Sequence, residues 1–258
     1  MLTVLVINSK GGSGKTTLST NLASYYASKK NNTAILDYDP QGSSLQWLRL
    51  RPGNVEKIHG ANAAPPKGAV IQRSTQAWIP TNTEVLIIDA PAGTKGLLLQ
   101  ELVRKSNFII IPVAPSPIDI HATADFIKDL FLVGGVRSSS AKIAVVANRV
   151  RSASNTMYTS LENFLSSLKL PLLTSIHDSD HYLQAASKGL GIFELDPANT
   201  ATERRELMPI VKWLDGHAPN KHGHSENKVI SLEDSRKWAA YRADGFTLNT
   251  TEKLKRQP

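Results

Sequence analysis

Two lysines in a glycine-rich stretch are the residues of this sequence whose types and spacing most clearly indicate chemistry. The stretch follows an apolar run and reads S-K-G-G-S-G-K-T-T from Ser9 to Thr17. Glycines allow backbone N–H groups to wrap phosphate oxygens, and a helix starting there adds the positive end of its dipole. Lys15 would reach the β- and γ-phosphates of a nucleotide, and the Thr16 hydroxyl would ligate Mg²⁺. The predicted nucleotide-binding residues of this loop are Gly11, Gly12, Ser13, Gly14, Lys15, Thr16 and Thr17.

Aspartates end two further apolar runs. Asp37 and Asp39 lie at the end of the run Thr33–Tyr38, and Asp89 ends the run Glu84–Asp89. In open α/β sheets, ligands bind beyond the carboxyl ends of the strands. We therefore expect these carboxylates to lie beside the glycine-rich loop.

The elements that must position these residues alternate regularly along the chain. The predicted strands are Leu2–Asn8, Thr33–Tyr38, Glu84–Asp89, Phe108–Val113 and Ala141–Asn148, with Leu172–Ile176 as a short sixth. The predicted helices are Thr16–Lys30, Ser44–Leu50, Gly96–Arg104, Ile118–Val133, Thr156–Leu168 and Ala201–Leu214. Strand–helix alternation requires crossover connections. The predicted fold class is therefore α/β, with a mainly parallel twisted sheet flanked by helices on both faces.

Two segments fall outside this pattern. Pro52–Lys67 contains a Pro-Pro pair and several alanines, which predicts a surface loop. From Gly216 onward no period is sustained, and residues 216–258 hold eight Lys+Arg against five Asp+Glu. We predict one domain over residues 1–215, followed by a polar, basic and poorly packed extension over 216–258.

Composition excludes some classes of protein and leaves others open. The 258 residues include no cysteine, which rules out disulfides and thiolate-held iron–sulfur clusters. The formal charge of +8 indicates a polyanionic partner, either nucleic acid or an anionic membrane. Nowhere do 18 apolar residues run together, and the N-terminal run is too short for a signal peptide. We therefore expect a cytoplasmic protein.

The loop departs from the common G-x-x-x-x-G-K-[ST] pattern, because Ser9 replaces the first glycine and Lys10 follows it. The form K-G-G-x-G-K-[ST] is the deviant Walker A motif, and with it the chain resembles the ParA/MinD superfamily of dimerising P-loop ATPases. The resemblance covers about residues 1–215. It implies that Lys10 reaches across an ATP-dependent homodimer to the partner's phosphates, in the manner of an arginine finger.

Further motifs extend the resemblance and assign roles by analogy. D-Y-D-P-Q-G from Asp37 resembles the second nucleotide motif of the family, which implies that Asp39 positions the attacking water and Asp37 supports the Mg²⁺ shell. The strand ending in Asp89 resembles Walker B, implying a water-mediated hold on Mg²⁺. Asn148 matches a polar residue that the family places against adenine. A proline-rich stretch, Ile111–Asp119, is similar to the ParA side of the family, although Ala114 replaces a frequent glutamine.

Comparison with the known classes of the superfamily leaves several functions open. The absence of cysteine excludes the nitrogenase iron protein and iron–sulfur scaffold ATPases. The chain resembles small ParA-type proteins that position plasmids, chromosomes or protein cargos, including the McdA-type ATPases that space carboxysomes. One alternative is a MinD-like membrane-surface regulator, whose docking helix the tail residues Ser235–Arg242 match poorly. Another is a metabolic P-loop synthetase.

The ParA-type resemblance implies three partners: a second copy of the chain, non-specific DNA, and a ParB- or McdB-like activator protein. It also implies a nucleoid-associated location. Candidate DNA contacts are basic residues in the regions where family members place them, namely Lys188, Arg204 and Arg205. Such contacts go to phosphates, so affinity is expected to fall steeply with salt.

Overall fold

The computed structural model describes residues 1–64, 78–136, 139–151, 159, 161–163, 165–166 and 168–217. All of these residues belong to one compact unit, Met1–Ser225. Among them, no helix is long and apolar enough to cross a bilayer.

Seven parallel strands form one sheet in the described part of the chain. The strands are β1 (Leu2–Val6), β2 (Thr33–Asp37), β3 (His59–Asn62), β4 (Val85–Asp89), β5 (Phe108–Val113), β6 (Lys142–Val150) and β7 (Leu172–His177). Their order in the sheet is β3-β2-β4-β1-β5-β6-β7, and every neighbouring pair is parallel. The predicted α/β fold class with a parallel sheet is confirmed.

The four central strands form the most deeply buried part of the sheet. Every residue of β2, β4 and β5 is buried, as are Thr3–Val6 of β1. The nearly continuous apolar sequences of these strands follow from this burial, because helices leave neither face of a parallel sheet to water. The glycine-rich loop therefore starts from the rigid centre of the molecule.

Helices connect the strands, close to the predicted positions. They are α1 (Lys15–Ser28), α2 (Ser43–Leu50), α3 (Gly96–Lys105), α4 (Pro117–Leu132), α5 (Asp180–Ser187) and α6 (Ala201–His217), with a 3₁₀ turn at Ile192–Glu194. Strand and helix ends differ from the predicted ones by up to three residues. Of the predicted helix Thr156–Leu168, residues 159, 161–163 and 165–166 are helical, and most of the remaining positions lie outside the described residues.

The prediction of a surface loop over Pro52–Lys67 is wrong for its centre. His59–Asn62 forms the edge strand β3, paired in parallel with β2. Gly60 lets this strand pack closely on α2, since a Cβ there would lie 2.4 Å from the Leu48 Cδ1 atom. Long-range packing thus imposes a strand on residues without strand propensity.

The predicted extension over 216–258 lies almost entirely outside the described residues. Its first two positions, Gly216 and His217, continue α6 beyond the predicted end at Leu214. The prediction of a poorly packed basic tail therefore stays a prediction.

Candidate nucleotide-binding site

The loop between β1 and α1 has the backbone of an anion cradle. Gly12 and Gly14 have φ angles of +74° and +89°, a left-handed conformation that favours glycine. Gly14 caps α1 without a side-chain hydrogen bond, and no acidic residue lies in the first turn of the helix. An added Cβ at Gly11 or Gly12 would meet nothing within 4 Å, so the space over the loop is open. Free amides at the positive end of a helix dipole favour a phosphate there.

Asn148, near the end of β6, forms a hydrogen bond that supports this loop. Its Nδ2 donates to the carbonyl of Ser13 at 2.8 Å, and the residue is 8% exposed. A Cβ at Gly14 would lie 1.9 Å from the same nitrogen, so the close approach requires glycine. The family resemblance implies a contact between Asn148 and adenine, whereas in the structure the side-chain N–H₂ of Asn148 donates to the loop. Contact with a purine stays a prediction, and support of the loop is the observed role.

Lys15 is buried at the base of the cleft, with 7% of its surface exposed. Its Nζ donates to the carbonyl of Lys10 at 2.9 Å. Burial lowers the pKa of the Lys15 ammonium, and the charges of Asp89 and Asp39 oppose that shift. A buried ammonium with one neutral acceptor gains most from an anionic ligand, which fits a phosphate at this place.

Asp89 fits a cation that is expected beside the phosphates. The residue is 1% exposed; its Oδ1 accepts from the Ser19 hydroxyl at 3.2 Å, and its Oδ2 has no hydrogen-bond partner. Burial raises the pKa of this carboxyl to about 7 and the charge of Asp37 adds to the shift, although the Thr16, Ser19 and Ser44 hydroxyls lower it. A buried carboxylate oxygen without a donor is costly unless a cation meets it. Asp89 and Thr16 therefore fit a Mg²⁺ ion.

Asp37 lies directly beside Asp89, as its partner in the β2–β4 register. Oδ1 accepts from the Asp39 amide at 3.0 Å, and Oδ2 accepts from the amides of Ser44 and Leu45 at 3.1 and 3.2 Å. The carboxylate thus caps α2 and fixes the turn before it. Helix capping is a function of Asp37 that the sequence reading missed, and its role in the Mg²⁺ shell stays a prediction.

Asp39 follows on the turn between β2 and α2, where its Oδ1 accepts from the Gln41 amide at 2.9 Å. It lines a cleft of ≈ 640 Å³ that runs from the glycine-rich loop to the β7–α5 loop. This volume is in the range of small-molecule sites. Of the predicted site residues, the cleft is lined by Gly11, Gly12, Gly14, Lys15, Thr16, Thr17, Asp39 and Asn148.

Lys10 differs from Lys15 in its surroundings. Its side chain is 41% exposed, and its Nζ lies 3.7 Å from Oδ1 of Asp119 in the first turn of α4. Ser116 fixes that turn, since its Oγ accepts from the Asp119 amide at 3.1 Å. In the sequence, Asp119 is notable only as the end of a proline-rich stretch. The spacing S-P-I-D does indicate a helix start, but nothing local pairs it with Lys10.

The cluster of histidines and acids after β7 is tied to α6. His177 Nδ1 lies 2.8 Å from Oε2 of Glu206, and His181 Nδ1 lies 2.8 Å from Oε1 of Glu203. In the described part of the chain, no group of three or more His, Asp and Glu side chains is arranged to hold a metal. These contacts position the β7–α5 loop at the rim of the cleft.

The three predicted DNA contacts lie in different environments. Lys188 ends α5 and Arg205 lies in the first part of α6, and both are exposed. Arg204 instead donates from Nη2 to the carbonyls of Phe193 and Leu195, at 3.0 and 2.7 Å, and its guanidinium lies over the Phe193 ring. Arg204 would have to give up these contacts to reach DNA.

The fold and the site together define a P-loop nucleotide-binding protein. The glycine-rich loop leads from a central strand of a parallel sheet into α1, Lys15 is buried beside it, and Asp89 ends the neighbouring strand β4. Residues 4–192 match the family model described as the CobQ/CobB/MinD/ParA nucleotide binding domain. The chain belongs to this family, and it is an ATPase of the ParA/MinD type.

Known proteins similar to this chain cover most of its length. Maintenance of carboxysome distribution protein A (McdA) from Halothiobacillus neapolitanus is 26% identical over 200 residues, 75% of this chain and 87% of that protein. An aspartate-to-alanine variant of McdA from Cyanothece, solved with ATP, superposes with a TM-score of 0.61 at 16% identity, over 84% and 96% of the two chains. MinD from Pyrococcus horikoshii, solved with Mg-ADP, gives a TM-score of 0.60 at 15% identity, over 86% and 99%. At these identities the two structures show a shared fold.

Proposed function

We propose that the protein is an ATPase that dimerises around ATP, binds DNA without sequence preference and positions a plasmid, chromosome or protein cargo. The observation that carries this proposal is the division of labour between two lysines in one loop. Lys15 is 7% exposed and faces the carboxylates of the cleft, whereas the Lys10 side chain is 41% exposed. The first fits the protein's own nucleotide, and the second is accessible to a second copy.

The nucleotide would be held mainly by the loop and the start of α1. Lys15 would exchange its bond to the Lys10 carbonyl for the β- and γ-phosphates, which removes the unfavourable burial of its charge. Thr16 and Asp89 would hold Mg²⁺, and Asp37 would stiffen the strand end beside them. When bound, Mg²⁺ neutralises phosphate charge in the transition state. Asn148 would keep the loop in its phosphate-binding shape.

Hydrolysis requires a water molecule aligned with the γ-phosphate. Asp39 lines the cleft on the turn that follows β2, and its second carboxylate oxygen, Oδ2, is not used by the bond to Gln41. We assign the orientation of this water to Asp39. Lys10 of the second copy would supply positive charge as charge develops on the transferred phosphoryl group. A site that hydrolyses ATP slowly until a second copy supplies Lys10 suits a protein whose oligomeric state is switched by ATP.

DNA binding would follow from dimerisation. The exposed Lys188 and Arg205 are modest phosphate contacts alone, but a dimer brings two sets to one duplex and raises the effective concentration of the second. The relatives that distribute carboxysomes support a positioning role, and a ParB- or McdB-like protein bound to the cargo would stimulate hydrolysis. Such a protein would act in the cytoplasm, on the nucleoid.

The test is binding of the full chain to a non-specific duplex, measured by fluorescence anisotropy against salt with ATP, ADP or no nucleotide. We expect binding with ATP alone, weakening steeply as salt rises. Asp39→Ala should bind ATP and stay on DNA, because hydrolysis no longer releases it. DNA binding without ATP, or none with ATP, would refute the proposal. Binding to anionic vesicles in place of DNA would favour the MinD-like alternative.

A further inference from the structure

The lysine that this function assigns to a second copy already has a partner within its own chain. Lys10 Nζ lies 3.7 Å from Oδ1 of Asp119, and the two side chains are 41% and 26% exposed. The pair joins the loop after β1 to the first turn of α4, elements 109 residues apart in sequence. It is a tertiary contact at the edge of the nucleotide site.

The surroundings of Asp119 fix the position of its carboxylate, which accepts a hydrogen bond from the Ser116 hydroxyl. Its carboxylate lies at the positive end of the 16-residue helix α4, and Ser116 fixes the turn through the Asp119 amide. Asn8 ties the loop to the same region, because its Nδ2 donates to the Pro112 carbonyl at 2.7 Å and to the Thr123 hydroxyl at 3.2 Å. The Lys10 amide lies 3.3 Å from Oδ1 of Asn8, so the backbone of Lys10 is held near α4 as well.

We infer that Asp119 is a positioning residue that holds Lys10 within its own subunit and thereby opposes dimerisation until ATP is bound. This inference rests on the proposed function, since it needs Lys10 to act across a dimer. Lys10 cannot pair closely with Asp119 and also reach the phosphates of a second copy. The phosphates carry more negative charge than one carboxylate, so ATP would win the competition and the nucleotide-free chain would stay monomeric.

The size of the effect follows from the exposure of the pair. Solvent-exposed ion pairs change an equilibrium by up to about fivefold. A symmetric dimer must break two such pairs, one in each subunit. Removing the carboxylate should therefore lower the dimer dissociation constant with ATP by roughly tenfold, and salt should reduce that difference because it screens the pair.

Sedimentation of the full chain with ATP and Mg²⁺ tests the inference, with Asp119→Asn compared against the wild type. We expect the Asp119→Asn dimer to be roughly tenfold tighter at low salt, and Asp119→Glu to restore the wild-type constant. Asp125→Asn, which removes an exposed carboxylate on the same helix, is the matched control for charge. This control should leave the constant unchanged.

The dependence on Lys10 makes the test specific. In a Lys10→Ala background, Asp119→Asn should have no effect on the dissociation constant. An unchanged or weaker Asp119→Asn dimer, or an effect that persists without Lys10, would overturn the inference. If the wild type fails to dimerise with ATP, the proposed function itself fails, so the two failures are distinguishable.

Discussion

The nucleotide cleft and the 188–205 region both contain basic residues that we predicted to bind anions, but the residues of the two regions differ in burial and in hydrogen bonding. In the cleft, Lys15 and Asp89 are buried, Lys15 Nζ has a neutral carbonyl as its acceptor, and Asp89 Oδ2 has no hydrogen-bond partner. In the 188–205 region, Arg204 has its guanidinium satisfied by two carbonyls, and Lys188 and Arg205 are exposed. Incomplete bonding of a buried group indicates a ligand, whereas a basic residue type alone does not.

We expect the largest effect from Lys15→Ala, measured as a loss of ATP affinity. Removing one partner of a buried charge pair costs about 2–5 kcal/mol, so titration with a fluorescent ATP analogue should show almost no binding. Lys29→Ala is the matched control, since Lys29 caps the other end of α1 and its ammonium lies over the Tyr25 ring. Equal ATP affinity in both variants would contradict the assignment of Lys15 and its cleft to nucleotide binding.

Gly14→Ala tests whether the loop depends on its support by Asn148. The left-handed backbone and the displaced Asn148 amide should together cost about 3 kcal/mol of unfolding free energy and most ATP affinity. Gly53→Ala is the control, because a Cβ there meets nothing within 4 Å and its φ is not left-handed. Urea denaturation of both variants measures the difference. If Gly14→Ala unfolds and binds ATP like the wild type, the close contact is unimportant.

Arg204→Ala sharpens the contrast within the second region. Loss of the bonds to Phe193 and Leu195 leaves carbonyls unsatisfied and should lower the unfolding free energy by about 1–3 kcal/mol. Its exposed neighbour is the control: Arg205→Ala should leave stability unchanged, weaken DNA binding and reduce the salt slope by about 1 for each subunit of the dimer. The reverse pattern would make Arg204 the DNA contact and contradict our description of this region.

Asp89→Asn should change stability less than Gly14→Ala or Arg204→Ala, and in the opposite direction. Burial disfavours the charged carboxylate, so the neutral amide is expected to stabilise the nucleotide-free protein by about 1 kcal/mol. The same change should remove Mg²⁺-dependent hydrolysis. Thermal unfolding and phosphate release measure the two effects. A destabilised variant that still hydrolyses ATP would contradict an ion-binding role for Asp89.

The comparison also shows what sequence could predict. The loop and the strand-end aspartates follow from local spacing on a parallel sheet, and the register of Asp37 against Asp89 brings them together as expected. Strand β3 arises from packing on α2, which no local pattern reveals. The inward turn of Arg204 and the Lys10–Asp119 pair are likewise tertiary contacts. Sequence therefore located the site but not the contacts that restrain its residues.

Sedimentation velocity of the Asp39→Ala chain, which should hydrolyse slowly, tests the central claim most directly. It would be run with Mg²⁺ and ATP, with Mg²⁺ and ADP, and without nucleotide. The account predicts a dimer with ATP and a monomer in the other two conditions. A dimer in all three conditions, or a monomer in all three, would contradict a site that two copies complete around ATP.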